Sequence, residues 1–273
     1  YGLNRNLARH FDDLLDWADG RLYDLISRYL RKFDVWNVKT IVRGIYTDTS
    51  SEDIDADLIR AGELDDTLLD RMVVADEVET GIELLSGTIF HDPLEAAYEE
   101  YEQRGVLVPI ENALDRAFYE NLLADLGRPR EGPDALYVEF LEAEIDFRNA
   151  RNALRLARSG ADIDPAEYYI EGGQLFEADQ LAHLASNEDD LVAHLRESSY
   201  GDELSAALDD LEDAESLMGF ERALEGALLE YTEHLSYVFP LSVCPVLAFV
   251  LAKEREVENI RAIARGREAG LTE

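Results

Sequence analysis

FDVWNVKTIVRG, residues 33–44, decides how the rest of the chain reads, because it recurs. DFRNARNALRLA begins at Asp146 and EVENIRAIARG at Glu256. The shared pattern is an acid, an apolar residue, any residue, Asn, an apolar or small residue, then a base. A second base follows four positions on. The Asn residues are Asn37, Asn149 and Asn259, spaced by 112 and 110. The first bases are Lys39, Arg151 and Arg261; the second are Arg43, Arg155 and Arg265.

The surroundings repeat with the motif. PIENALDRAFYENLL (109–123) aligns with GFERALEGALLEYT (219–232), and Leu114 and Leu224 both lie 35 residues before their Asn. LNRNLARHF (3–11) fits the same helix more loosely. Downstream, DIDADLIRAGEL (53–64) echoes DIDPAEYYIEGGQL (162–175). The unit is about 110 residues, well above solenoid-repeat size, so one small helical domain is used repeatedly. The expected domains are 1–106, 107–216 and 217–273, the last being the start of a third repeat. The chain opens at Tyr1 within a helical pattern, which points to a further upstream portion of the first repeat. No secretory leader pattern is visible at that start.

The periodicity is helical almost throughout. Leu3, Leu7, Phe11, Leu14, Leu15 and Ala18 follow three- and four-residue steps, and Leu22, Leu25, Ile26, Tyr29 and Leu30 continue them. No alternating strand is found, so the fold class is all-α. Loops are expected at Gly127–Pro133, Asp92-Pro93, Ser159-Gly160 and Gly172-Gly173. Two motif helices carry limits: Pro133-Asp134 to Gly160, and Pro245 to Gly266. Such helices span roughly 33 to 39 Å.

On a helical wheel Val35, Val38, Val42 and Ile45 form an apolar stripe. Phe147, Ala150, Leu154 and Ala157 repeat it, as do Val257, Ile260 and Ala264, with Arg267 in the last position. Lys39 and Arg43 flank one edge of the first stripe and Asn37 lies toward the other. Asn is unfavourable inside a helix unless its amide finds partners. Each Asn and base is therefore expected to tie its helix to a neighbour. Anion binding by the same residues is the weaker reading, since no glycine-rich phosphate loop accompanies them.

The composition narrows the function. The formal net charge is −35, from 60 acidic and 25 basic residues, and only Lys32, Lys39 and Lys253 are lysines. Self-repulsion of that size is screened in about 1 M salt, where the Debye length is roughly 3 Å. An acidic, lysine-poor surface over a 47% hydrophobic composition is a high-salt adaptation. Without a basic stripe, nucleic-acid binding is excluded from the expectations. Cys244 stands alone and lies in VCPVLAFV, where a buried, inert thiol is expected. The apolar run VFPLSVCPVLAFVLA (238–252) is shorter than the roughly 20 residues of a spanning helix and holds two prolines. It is expected to be a buried core helix.

Catalytic patterns are weak. DIDAD (Asp53, Asp55, Asp57) matches half of a calcium loop, but Leu58 stands where glycine is needed and Leu64 where glutamate is needed. The five histidines form no HExxH or other metal-ligand spacing. No cofactor, metal or catalytic residue is assigned. Two rival functions remain at this level: a generic helical-repeat adaptor, and an acid-rich hydrolase motivated only by abundant carboxylates.

The motif copies resemble the C subunits of archaeal A-type ATP synthases, counterparts of the d subunits of vacuolar ATPases. YVEFLEAEIDFRNARNALRLARSG (137–160) and FPLSVCPVLAFVLAKEREVENIRAIARG (239–266) carry the likeness with them. The resemblance covers essentially the whole chain, and the acidic surface is similar to that of a haloarchaeal member. It implies a funnel-like, all-helical protein of repeated domains in a pseudo-threefold arrangement. It also implies a non-catalytic rotor socket on the cytoplasmic face of the cell membrane, passing torque between the central stalk and the proteolipid ring. The partners it implies are the central-stalk subunits and that ring, with no lipid-spanning segment. VLVPI (106–110) is a candidate ring-facing stretch, although burial in the core is the stronger expectation.

Overall fold

The computed structural model describes residues 2–127, 129, 131–132, 134–159, 165–202, 204–205, 208–209, 217–268 and 270, except for the side chains of 157–159, 165, 217–220 and 268. All regular structure among them is helical. In chain order the helices are α1 (Gly2–Trp17), α2 (Gly20–Leu30), α3 (Lys32–Tyr46), α4 (Ser51–Asp57), α5 (Asp66–Val73), α6 (Val78–Leu84), α7 (His91–Arg104) and α8 (Val108–Leu126). Then follow α9 (Ala135–Ser159), a 3-10 turn at Pro165–Tyr168, α10 (Ala178–Leu184), α11 (Glu188–Arg196), α12 (Leu217–Val238) and α13 (Cys244–Glu268).

Backbone contacts group the chain into two compact units, 1–122 with 249–273, and 123–248. In the first, α3 packs on α4, α5 and α6. Of the apolar stripe that the wheel placed on one face, Val38 is fully buried and Val35 and Val42 nearly so, while Ile45 is half-buried; Ile41, outside that stripe, is fully buried as well. Phe11 of α1 stacks on Phe33, ring centroids 5.1 Å apart. In the second unit α9 packs on the 3-10 turn, α10, α11 and α12. Tyr137, Phe140, Leu141 and Phe147 are buried along it, and Tyr200 meets Phe147 and Tyr231 edge-on at 5.2 and 5.5 Å. The succession of motif helix, short helical turn, loop and two short helices is thus the same in both units.

Several sequence-based limits are corrected. Gly266 does not close α13, which runs on to Glu268; Gly270 has left-handed backbone (φ 73). Gly44, for which the sequence set no limit, also lies inside its helix, α3. A helical glycine costs only about 1 kcal/mol relative to alanine, less than the packing that holds these helices. At Gly44 the missing side chain also matters, because an added Cβ would overlap Ile54 of α4. Asp92-Pro93 is not a loop but the first turn of α7, a position where proline's missing N–H is harmless. The run 238–252 is not one buried helix. Pro240 cannot continue α12, so Phe239 and Leu241 sit exposed in a turn, and α13 starts at Cys244 with Pro245 in its first turn. Pro133 and Gly160, expected to bound α9, lie outside the described residues. DIDAD is an ordinary helix, α4, capped by Ser50, whose hydroxyl accepts the Asp53 N–H at 3.2 Å. In VLVPI, Val106 is exposed while Ile110 is fully buried.

Candidate functional site: a repeated clamp and its basic ties

The acid and the Asn of the motif lie three residues apart, hence on one face of the helix. In the first copy both are buried, Asp34 at 1% and Asn37 at 0% exposure. Asp34 accepts two consecutive backbone N–H groups, from Glu63 at 2.8 Å and Leu64 at 3.0 Å. Asn37 grips both polar groups of one residue. Its Nδ2 donates to the Ile59 carbonyl at 2.8 Å, and its Oδ1 accepts the Ile59 N–H at 2.8 Å. The side chains therefore do for this loop what a neighbouring strand would do, pairing backbone groups that are shut off from water.

The second copy repeats the arrangement atom for atom. Asp146 accepts from Gln174 and Leu175, both at 3.0 Å. Asn149 donates to Ile170 O and accepts from Ile170 N, both at 2.9 Å. The gripped segments are IRAGEL (59–64) and IEGGQL (170–175), which share the pattern Ile-x-x-Gly-x-Leu. The glycine is required by close approach: a Cβ at Gly62 would overlap the Asp34 carboxylate, and one at Gly173 the Asp146 carboxylate. Burial raises the pKa of Asp34 to about 7, against the pull of the two N–H groups it accepts. Asp146 is raised to about 6 for the same reason. Desolvation therefore outweighs hydrogen bonding at both carboxyls.

The bases reach a different element. Lys39 Nζ meets Asp115 Oδ2 of α8 at 2.7 Å, both side chains largely covered. Arg43 forks onto Glu111 one turn earlier, at 2.5 and 2.8 Å. In the second copy Arg155 pairs with Glu221 of α12, which aligns with Glu111. Arg151 is half-buried on α9. In the third copy Arg261 donates to Asn4 of α1. Arg265 is exposed. So is Asn259, whose amide makes no hydrogen bond among the described residues, and Glu256 pairs with Lys253 of its own helix at 2.7 Å.

The structure thus assembles Asn37, Lys39, Arg43, Asn149 and Arg155 into ties and leaves Asn259 and Arg265 at the surface. Sequence reasoning recorded the acids at positions 34 and 146 as part of the pattern but gave them no partner. It also missed Gly62 and Gly173. The signal that could have found them was the echo between 53–64 and 162–175, whose shared glycine and leucine are the gripped backbone. Histidine spacing missed one grouping: at the N-terminus of α7, His91, Asp92 and Glu95 hold potential ligand atoms within 4.8 Å of one another. Asp92 and Glu95 are exposed, and His91 Nδ1 lies 2.9 Å from Asp92.

The sequence model of the ATP synthase (C/AC39) subunit family matches residues 1–273. The chain belongs to that family. Among curated members, the C subunit of the A-type ATP synthase of Haloferax volcanii is 67% identical, over 99% of this chain and 77% of that protein. Its counterpart from Halobacterium salinarum is 60% identical, over 100% and 78%. The one from Methanosarcina acetivorans is 35% identical, over 100% and 74%. The haloarchaeal members stand well above the methanogen in identity, in keeping with the acid-rich composition of this C/AC39 family member.

Proposed function

We propose that this chain is a non-catalytic subunit of an A-type ATP synthase, acting as a socket that couples the central stalk to the membrane proteolipid ring and transmits torque. Family membership carries the assignment to the complex. The mechanical role is supported by the repeated clamp. A torque coupler needs long helices that do not slide on their neighbours, and the same polar fastening recurs where α3 and α9 meet their loops.

The proposal includes three repeats, 1–106, 107–216 and 217–273, in a pseudo-threefold, funnel-like order. The order of the basic ties supports it. They run from α3 to α8, from α9 to α12, and from α13 to α1. Each motif helix thus reaches a helix that opens another repeat. The site proposed for the chain is the cytoplasmic face of the cell membrane, peripheral within the complex. In keeping with this, no helix among the described residues is long and apolar enough to cross a membrane.

The test is reconstitution in molar KCl with the central-stalk subunits and the detergent-solubilised ring. Co-elution with both is expected. Failure to bind either one in molar salt, with the chain folded by circular dichroism, would overturn the reading.

A further inference from the structure

The turn from α12 to α13 holds apolar side chains in water. Residues 237–241, Tyr-Val-Phe-Pro-Leu, are all exposed, Tyr237 by 88% and Leu241 fully. A run of exposed apolar residues is a fault in a solvated surface unless it has a use. The turn is not loose. The Phe239 carbonyl accepts the Ser242 N–H at 3.1 Å and the Ser242 hydroxyl at 2.7 Å, and that hydroxyl accepts the Cys244 N–H at 3.2 Å. The backbone is thus fixed while the side chains stay in solvent. Charge is missing as well. No charged residue stands between His234 and Lys253, the longest such gap in a chain of which 31% is charged. The turn between α1 and α2, at the corresponding place in the first repeat, also presents aromatic side chains: Trp17 is 82% exposed, and Tyr23 is exposed too.

We propose that the α12–α13 turn dips into the interfacial layer of a lipid bilayer, seating Tyr237, Phe239 and Leu241 among the headgroups. Charge selects this surface. The chain carries a net −35, so an anionic bilayer repels it, and this turn is the longest stretch that brings no acid to such a surface. In about 1 M salt the Debye length is roughly 3 Å, which mutes the repulsion of the remaining acids and leaves apolar contact as the attraction. The side chains are of the kind that settles at that depth. Tyrosine and tryptophan put an apolar ring inward and a polar group toward the headgroups. A protein interface brings roughly one hydrogen bond per 100–200 Å², and among the exposed residues 237–241 only Tyr237 has a side chain that can make one. Contact with lipid rests on the reading above that the chain works at a membrane face, and adds to it the residues that touch the bilayer.

The test is flotation of the full-length polypeptide with vesicles in molar KCl. Vesicles of phosphatidylcholine, and of phosphatidylcholine and phosphatidylglycerol in equal parts, should bind it equally within about twofold, because the contact is apolar and the charges are screened. Tyr237→Ser/Leu241→Ser should weaken binding at least about tenfold with an unchanged melting temperature, since each side chain of this size taken out of water is worth about a decade of affinity or more. Val74→Ser, at another exposed apolar residue, should leave binding unchanged. A polarity-sensitive fluorophore on Leu241→Cys, with buried Cys244 unlabelled, should shift to the blue when vesicles are added. Absence of vesicle binding overturns the proposal, as does binding that requires the anionic lipid or survives the double substitution. A blue shift with the detergent-solubilised ring but not with vesicles would make the occupant a protein and refute the lipid contact. Co-elution with stalk and ring is scored separately. A chain that co-elutes but ignores vesicles loses only the lipid contact, and one that binds vesicles but not the ring loses only the socket role.

Discussion

Replacing Asn37 by alanine removes two hydrogen bonds to one buried residue. Ile59 is 5% exposed, and both its N–H and its carbonyl are held at 2.8 Å by the Asn37 amide. The substitution leaves a donor and an acceptor without partners in a space too small to hydrate freely. Each such group costs about 1 to 3 kcal/mol. The sum, about 2 to 6 kcal/mol, is a large part of the roughly 5 to 15 kcal/mol by which a domain is stable. Urea unfolding followed by far-ultraviolet circular dichroism, at fixed molar KCl, measures the change. Asn149→Ala should cost a similar amount, because its amide makes the same pair of bonds at 2.9 Å. Asn259→Ala is the matched control and should stay within about 0.5 kcal/mol, as exposed sites do. If Asn37→Ala and Asn259→Ala shift the midpoint equally, the amide is not a clamp and the reasoning fails.

Four other outcomes are expected. Gly62→Ala drives a Cβ into the Asp34 carboxylate and should cost about 1 to 3 kcal/mol, whereas Gly266→Ala, in open space within α13, should gain up to about 1 kcal/mol; thermal melts distinguish the two. Lys39→Met leaves Asp115 largely covered and short of its cation, so it should destabilise, and the double variant Lys39→Met/Asp115→Leu should recover much of the loss in the same melts. The Asp34 pKa is raised on folding, so the native state binds an extra proton between about pH 4 and pH 7. Its contribution to stability is present at the acid end of that window and lost as pH rises through about 7; a carboxyl-carbon NMR titration with a midpoint below about 5 would contradict this. Finally, dialysing KCl away should reduce helical content, because −35 charges are then unscreened; an unchanged spectrum in dilute buffer would refute the salt reading.

The helical class, the repeat of about 110 residues and the three places where Asn and bases recur were all legible in the order of residues. These are local properties. Helix geometry writes a three- and four-residue period into the chain, and a repeated unit writes itself again at a fixed distance. Pairing is different. With 60 acids for 25 bases, nothing in the sequence singles out Asp115 for Lys39 or Glu111 for Arg43, which lie 76 and 68 residues away. Nor does it say that the acid of the motif takes two backbone N–H groups about 30 residues downstream, or that Gly62 and Gly173 are there to let a carboxylate approach. Those facts exist only once packing has brought distant segments to hydrogen-bonding distance. Packing also put three similar motifs into two different states: α3 and α9 close over a segment of their own chain, while α13 presents the same face to solvent.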